Sequence, residues 1–172
     1  MAGSLEFIKS ASGSGINSFS VTDCFSDKYD VYYVSVTKVD IAQAYYNRVR
    51  LINASGIDTG SNYDYAALQL TSYQSFSEVR SATATSWFYS SWQSANASDG
   101  VGLGVYIFNP YDSSSYTFMT HQASGFNSGS GMLGFKGIGV HHTAEQITGI
   151  EFNTPTSAYN YDNITVNIFG VK

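Results

Sequence analysis

The sequence predicts an all-β protein, an antiparallel β-sandwich of the jelly-roll kind with roughly ten short strands. Three observations carry this prediction. Val, Ile, Tyr, Phe, Thr and Ser dominate the chain, whereas the helix formers Leu, Glu, Lys and Arg are scarce. Apolar and polar residues alternate over short stretches. Links rich in Gly, Ser and Asn separate those stretches.

The first half of the chain supplies strands whose side chains alternate between a dry and a wet face. In the strongest of them, Tyr32, Val34 and Val36 oppose Val31, Tyr33 and Ser35. The predicted strands of this half are Ser4–Lys9, Asn17–Val21, Tyr29–Thr37, Tyr46–Ile52, Tyr65–Thr71 and Thr85–Trp92.

The second half continues the same pattern. In Val101–Phe108 every second residue is a branched aliphatic, while Gly102 and Gly104 leave the other face bare, so we expect something to pack closely over the glycines. The predicted strands of this half are Val101–Phe108, Tyr116–His121, Met132–Lys136, Gln146–Phe152 and Asn163–Val171.

The chain is predicted to form a single domain over residues 1–172, because 172 residues match one domain and no composition shift or linker divides them. Residues 1–10 are read as an extended N-terminal arm. The single cysteine, Cys24, excludes an intramolecular disulfide, and the apolar Phe25 beside it suggests an inert buried thiol.

Charge and hydropathy exclude several classes of function. Charged residues make up 12% of the chain and the net charge is −5, with no Lys/Arg cluster, so nucleic-acid binding is not expected. No apolar run approaches the ~18 residues of a membrane span, and the N-terminus has no signal-peptide pattern. The expectation is a protein made in the cytoplasm that does not insert into membranes.

Two groups of side chains resemble metal ligands. His141, His142 and Glu145 offer imidazoles and a carboxylate, but neighbouring residues on a strand face opposite ways, so a wet loop is the preferred interpretation. The aspartates of the link before the strongest strand either hold a Ca²⁺ ion or cap turns, and the sequence leaves both alternatives open. These aspartates are Asp23, Asp27 and Asp30. No metal and no cofactor is expected.

The aromatic run that ends at Trp92 is the most suggestive binding feature. Flat rings stack on sugar faces, so Trp87, Tyr89, Trp92 and Tyr111 are the candidate contacts for a glycan or partner. The alternative is core packing, because Trp87 and Tyr89 share one side of a strand while Phe88 and Trp92 share the other. No nucleophile or nucleotide motif accompanies the run, so no catalytic residue is assigned.

Taken as a whole, the chain resembles the small β-sandwich virion proteins of tailed bacteriophages, especially those of marine and cyanobacterial hosts. The likeness spans most of the chain and its motifs are structural. The closing strands, Ile147–Phe152 and Ile164–Phe169, also resemble the last strands of sugar-binding jelly rolls. The segments that carry the virion-protein likeness are Ser4–Lys9, Ser20–Ser26, Asn109–Phe118, Lys136–Gly149 and Asp162–Val171.

The resemblance implies a non-enzymatic virion structural protein, either a capsid decoration or a tail or fibre module. Its implied partners are other virion subunits, further copies of itself in a homo-oligomer, and host-surface carbohydrate. One alternative is a carbohydrate-binding module that stacks sugars on Trp87 or Trp92. Another is a glycan-degrading enzyme that uses paired carboxylates from the few Asp and Glu residues.

Overall fold

The computed structural model describes residues 4–41, 47–73, 75–88, 101–127, 131–154, 156 and 159–172. These residues form an all-β fold of antiparallel strands. None of them belongs to a helix long and apolar enough to cross a membrane. The strands are β1 (Leu5–Gly13), β2 (Ser18–Val21), β3 (Val31–Ile41), β4 (Arg48–Asn53), β5 (Gly56–Ile57), β6 (Tyr63–Thr71), β7 (Ser77–Ala84), β8 (Trp87–Phe88), β9 (Val101–Phe108), β10 (Thr117–Asn127), β11 (Gly131–His141), β12 (Ile147–Asn153) and β13 (Tyr161–Val171).

The strands form two sheets. The large sheet has eight strands in the order β1-β13-β3-β9-β10-β11-β6-β7, and the small sheet has the order β2-β12-β4-β5 with β8 also paired to β4. The chain crosses between the sheets at the steps β1–β2, β2–β3, β3–β4, β5–β6, β7–β8, β8–β9, β11–β12 and β12–β13. The facing quartets β1-β13-β3-β9 and β2-β12-β4-β5 therefore have the wrapped strand order of a jelly roll, which confirms the predicted fold class.

The core lies between the two sheets and follows the predicted alternation. In β9 the branched aliphatics face inward and are at most 5% exposed. The small sheet faces them with Val49, Leu51, Ile150 and Phe152, each at most 2% exposed. Burial of these side chains stabilises the fold by roughly 1.5–3 kcal/mol each.

Differences from the predicted strands have local causes. β10 and β11 extend well beyond the predicted ends, because the paired strands run on through Gly and Ser residues that weaken the sequence signal. β7 was not predicted, since it is a largely exposed edge strand without apolar alternation. From Leu5 onward the expected N-terminal arm is the edge strand β1, which pairs with β13 from Leu5↔Val171 to Gly13↔Ile164.

Candidate functional site

The outer face of the large sheet carries an unusual set of exposed apolar side chains. Cross-strand pairing sets Phe7 beside Phe169, Phe169 beside Tyr33, and Tyr33 beside Tyr106. Pairing then leads from Tyr106 through Thr120 to Ile138. This row crosses six neighbouring strands, because residues in register on one face of a sheet lie side by side.

A second row runs beside the first. Leu5 pairs with Val171, Val31 with Phe108, and Phe108 with Phe118. Both rows together are called the apolar band. Thr120 is its one polar position and lies between Tyr106 and Ile138. Its apolar members are Leu5, Phe7, Val31, Tyr33, Ala66, Tyr106, Phe108, Phe118, Ile138, Val140, Phe169 and Val171, all of them exposed or half-buried.

The band remains accessible to solvent in the isolated chain. Ile138 is 62% exposed, Phe7 59%, Phe118 43% and Tyr106 42%. Scattered apolar residues are ordinary on a protein surface, but a contiguous apolar patch marks an interaction site. The band is therefore the strongest candidate contact surface among the described residues.

Aromatic rings order one end of the band. Ring centroids lie 5.8 Å apart for Phe7 and Phe169, 6.2 Å for Phe169 and Tyr33, and 5.0 Å for Tyr33 and Tyr106. The first pair is edge-on, an arrangement that aromatic pairs prefer, and the other two are tilted at contact distance. Mutual packing holds these rings in place before any partner arrives.

Polar rows lie along one side of the band on the same sheet face. Ser10 donates to Asn167 at 2.7 Å, and the hydroxyls of Ser12 and Thr165 lie 3.1 Å apart. Next to Tyr106 and Thr120 the face carries Gln122 on β10. An apolar centre with a polar border is the usual composition of a protein contact surface.

The surroundings of Gly102 and Gly104 test the prediction that something packs closely over the glycines of β9. A Cβ placed on Gly104 would lie 3.0 Å from the Tyr33 hydroxyl and 3.3 Å from a Tyr33 ring carbon, so the Tyr33 ring covers this position. No atom of the described residues lies within 4 Å of a Cβ placed on Gly102. The prediction is confirmed for Gly104, whereas no described residue covers Gly102.

The structure places the predicted aromatic contacts differently. Trp87 is 0% exposed and donates its indole N–H to the Val140 carbonyl at 3.2 Å. Its ring meets Tyr63 edge-on at 5.5 Å, so Trp87 is a core residue and stacking of a sugar on it is excluded in this structure. Tyr111 is partly buried against the core. Tyr89 and Trp92 lie outside the described residues.

The aspartates proposed as a calcium site are exposed and separate. Asp23, Asp27 and Asp30 all lie on the surface of the link before β3. Within the described part of the chain, the side chains close enough to share an ion are a different set. Asp23 adopts a φ of 52°, a left-handed conformation that Asp tolerates in turns, which favours the turn-capping alternative.

A second candidate site is the acid–histidine cluster, formed by Asp58, His141 and Glu145. His141 Nε2 lies 2.6 Å from Asp58 Oδ2 and 3.6 Å from Glu145 Oε1. His141 is 0% exposed, and its ring packs 4.9 Å from the Tyr63 ring. Burial raises the pKa of Asp58, but hydrogen bonds from His141, Gly60 and Asn62 outweigh it, and the net shift is downward.

The sequence pattern of this cluster was recognised only in part. His141 and Glu145 converge as the motif suggests, whereas His142 faces away, with its Nε2 3.2 Å from the Ser61 carbonyl. His141 is the last residue of β11 and His142 the first residue after it, and the two side chains diverge as expected for neighbouring residues on an extended chain. Asp58 was missed, because it lies 83 positions before His141 and no local spacing links the two.

Other titratable groups have structural roles. Glu151 is buried at 3% exposure, receives hydrogen bonds from Ser18 and Asn153, and lies 3.7 Å from Arg50. Burial raises the pKa of the Cys24 thiol to about 12, in agreement with the predicted inert thiol.

Comparisons with known proteins identify no family for this chain. No protein-family model matches it. No curated protein matches it either. Among solved structures it is similar to the CspB protease of Clostridium perfringens, with 13% identity and a TM-score of 0.34 over 96% of this chain. The chain spans 26% of that protease, and a likeness this weak carries no argument about fold or activity.

Proposed function

We propose that this protein is a non-enzymatic structural subunit of a bacteriophage virion, and that it contacts neighbouring subunits through the apolar band. The supporting observation is the band itself: a contiguous set of exposed aliphatic and aromatic side chains on one sheet face, bordered by polar rows. Burial of such a surface against a partner releases ordered water and is the main driving force of association.

The size of the band suits a subunit contact. It spans seven strands, which at ~4.8 Å spacing make it roughly 30 Å long. Two rows give a width of roughly 14 Å and a flat area of roughly 400 Å². With the polar border included, this approaches the ~800 Å² per partner of a standard protein interface.

The first partner we propose is a second copy of the same chain. The molecule as a whole carries a net charge of −5, which opposes self-association. The members of the apolar band are all uncharged, and the charged residues in register with them, Asp64 beside Val140 and Arg80 beside Ala66, lie at one end of the band. Two copies can therefore meet along most of the band without bringing like charges together. The phage assignment itself is supported by the sequence resemblance described above.

Sedimentation velocity tests the band as a contact surface. We expect the wild-type chain to self-associate and the double variant Phe118→Ser/Ile138→Ser to sediment as a monomer. Phe126 and Met132 provide a matched control, because they are 51% and 56% exposed and pair with each other outside the band. The double variant Phe126→Ser/Met132→Ser should associate like wild type, and equal loss in both double variants would refute the proposal.

A carbohydrate-binding module is the second candidate. The specific observation is a shallow depression of about 900 Å³ on the large sheet, lined by Tyr33 and Tyr106 together with Gln122 and Lys136. Rings next to hydrogen-bonding side chains are what a sugar site needs. Glycan-array binding that disappears in Tyr106→Ala would favour this candidate over the subunit contact.

A further inference from the structure

The acid–histidine cluster brings ligand atoms from three separate segments together. Asp58 comes from the link between β5 and β6, His141 ends β11, and Glu145 lies in the link to β12. One ligand atom from each lies within 4.8 Å of the others. We propose that this cluster binds a divalent first-row transition metal ion, with Zn²⁺ as the expected occupant.

The distances fit an ion of this class. Zn²⁺ binds imidazole nitrogen and carboxylate oxygen at ~2.0–2.2 Å, so neighbouring ligand atoms in a tetrahedral site lie roughly 3.3 Å apart. The two distances from His141 Nε2, 2.6 Å to Asp58 and 3.6 Å to Glu145, bracket this value. The His141–Asp58 pair would have to open by roughly 0.7 Å to admit the ion.

The second oxygen of each carboxylate accepts a hydrogen bond from a neighbouring residue. Gly60 N–H donates to Asp58 Oδ1 at 2.7 Å, and the Asn53 amide donates to Glu145 Oε2 at 2.8 Å. Tyr63 in turn donates its hydroxyl to the Asp58 carbonyl at 3.1 Å. Hydrogen bonds of this kind orient metal ligands. Here Asp58 Oδ2 and Glu145 Oε1 lie nearest His141, and Asp58 Oδ2 also accepts a hydrogen bond from the Asn62 amide at 3.1 Å.

Charge and ligand type select the ion. Among the described residues, no Lys or Arg lies within ion-pair distance of Asp58 or Glu145, and the amide partners of both carboxylates are neutral. Two carboxylates beside one imidazole favour a cation between them. An imidazole ligand favours Zn²⁺ over Mg²⁺ and Ca²⁺, which prefer all-oxygen sites. Glu145 is 26% exposed at its side chain, which leaves an approach for the ion and for a water ligand.

Isothermal titration of the chelator-treated chain with ZnCl₂ tests the site. We expect one Zn²⁺ per chain and a thermal midpoint that rises with Zn²⁺ concentration, because binding to the folded state alone stabilises it. Asp58→Asn and Glu145→Gln should each lower the affinity at least tenfold. Co²⁺ should give visible absorption in the wild type that is lost in both variants.

The matched control is the neighbouring acid–histidine pair. His142 Nδ1 lies 3.9 Å from Asp64 Oδ2, and no other residue in the described ranges brings a third ligand beside this pair. Asp64→Asn and His142→Gln should bind Zn²⁺ like wild type. The proposal is overturned if the wild type takes up no stoichiometric Zn²⁺, if both cluster variants bind unchanged, or if the control variants lose binding equally. Glu145 is the more exposed carboxylate, so Glu145→Gln decides the matter if Asp58→Asn does not fold.

Discussion

His121 lies on the inner face of the large sheet at 4% exposure, in a crowded environment. A Cβ on Gly137 would lie 2.8 Å from the His121 ring, which shows how closely the strands pack there. Burial disfavours the charged imidazolium and lowers the pKa of His121 to about 4. At neutral pH the ring is therefore an uncharged core side chain, although histidine is more often found on the surface.

This lowered pKa predicts how stability depends on pH. Between about pH 6.5 and pH 4 the unfolded chain binds a proton on His121 that the folded chain does not, so the free energy of unfolding falls as the pH decreases. His121 alone lowers the free energy of unfolding by about 1.4 kcal/mol for each pH unit in this range, or by about 3 kcal/mol in total. Below pH 4 His121 is protonated in both the folded and the unfolded chain, so this residue lowers the free energy of unfolding no further.

Urea unfolding at several pH values measures the effect. His121→Gln removes the titrating group, so its free energy of unfolding should change less between pH 6.5 and pH 4 than that of the wild type. The difference between the two curves isolates His121 from the acidic residues, which titrate in both proteins. Parallel curves for the two proteins would contradict the account of His121.

At the scale of the element, the two glycines of β9 make a matched pair. Gly102→Ala should raise stability by about 0.5–1 kcal/mol, because the position is open and alanine loses less backbone entropy than glycine. Gly104→Ala meets the Tyr33 ring at 3.0–3.3 Å and should gain nothing or lose stability. Tyr33 packs 5.0 Å from Tyr106, so a displaced Tyr33 also disturbs the apolar band.

Thermal unfolding of the two variants checks this difference. A difference of about 1 kcal/mol in the free energy of unfolding between the two variants corresponds to a few degrees in Tm for a domain of this size. Gly102→Ala should melt above the wild type and Gly104→Ala at or below it. Equal shifts in both variants would mean that Tyr33 does not cover Gly104.

For the whole molecule, the sequence predicted the fold better than the sites. The alternation in β9 matches the observed strand, because burial on one face leaves a direct mark on local sequence. The apolar band could not be foreseen, since Phe7 and Phe169 are neighbours only through the pairing of the chain ends. Asp58 was missed for the same reason, because a site assembled across the fold has no sequence period.

Trp87 illustrates the limit of residue type as a guide. A tryptophan suits both a sugar platform and a core, and the sequence analysis left both alternatives open. Trp87 is fully buried and its indole donates a hydrogen bond to the Val140 carbonyl, so it is a core residue. The exposed aromatics of this protein instead come from strands such as β1 and β9, where alternation directs Phe7 and Tyr106 outward.

Hydroxyl-radical footprinting of purified phage particles, read by mass spectrometry, tests most directly the claim that the apolar band is a subunit contact. The account predicts that peptides of this chain are present and that Tyr106 and Phe118 are protected relative to the purified chain diluted until it is monomeric, while Phe126 and Met132 stay reactive. Absence of the chain from the particles, or a band as reactive in particles as in the monomer, would contradict it.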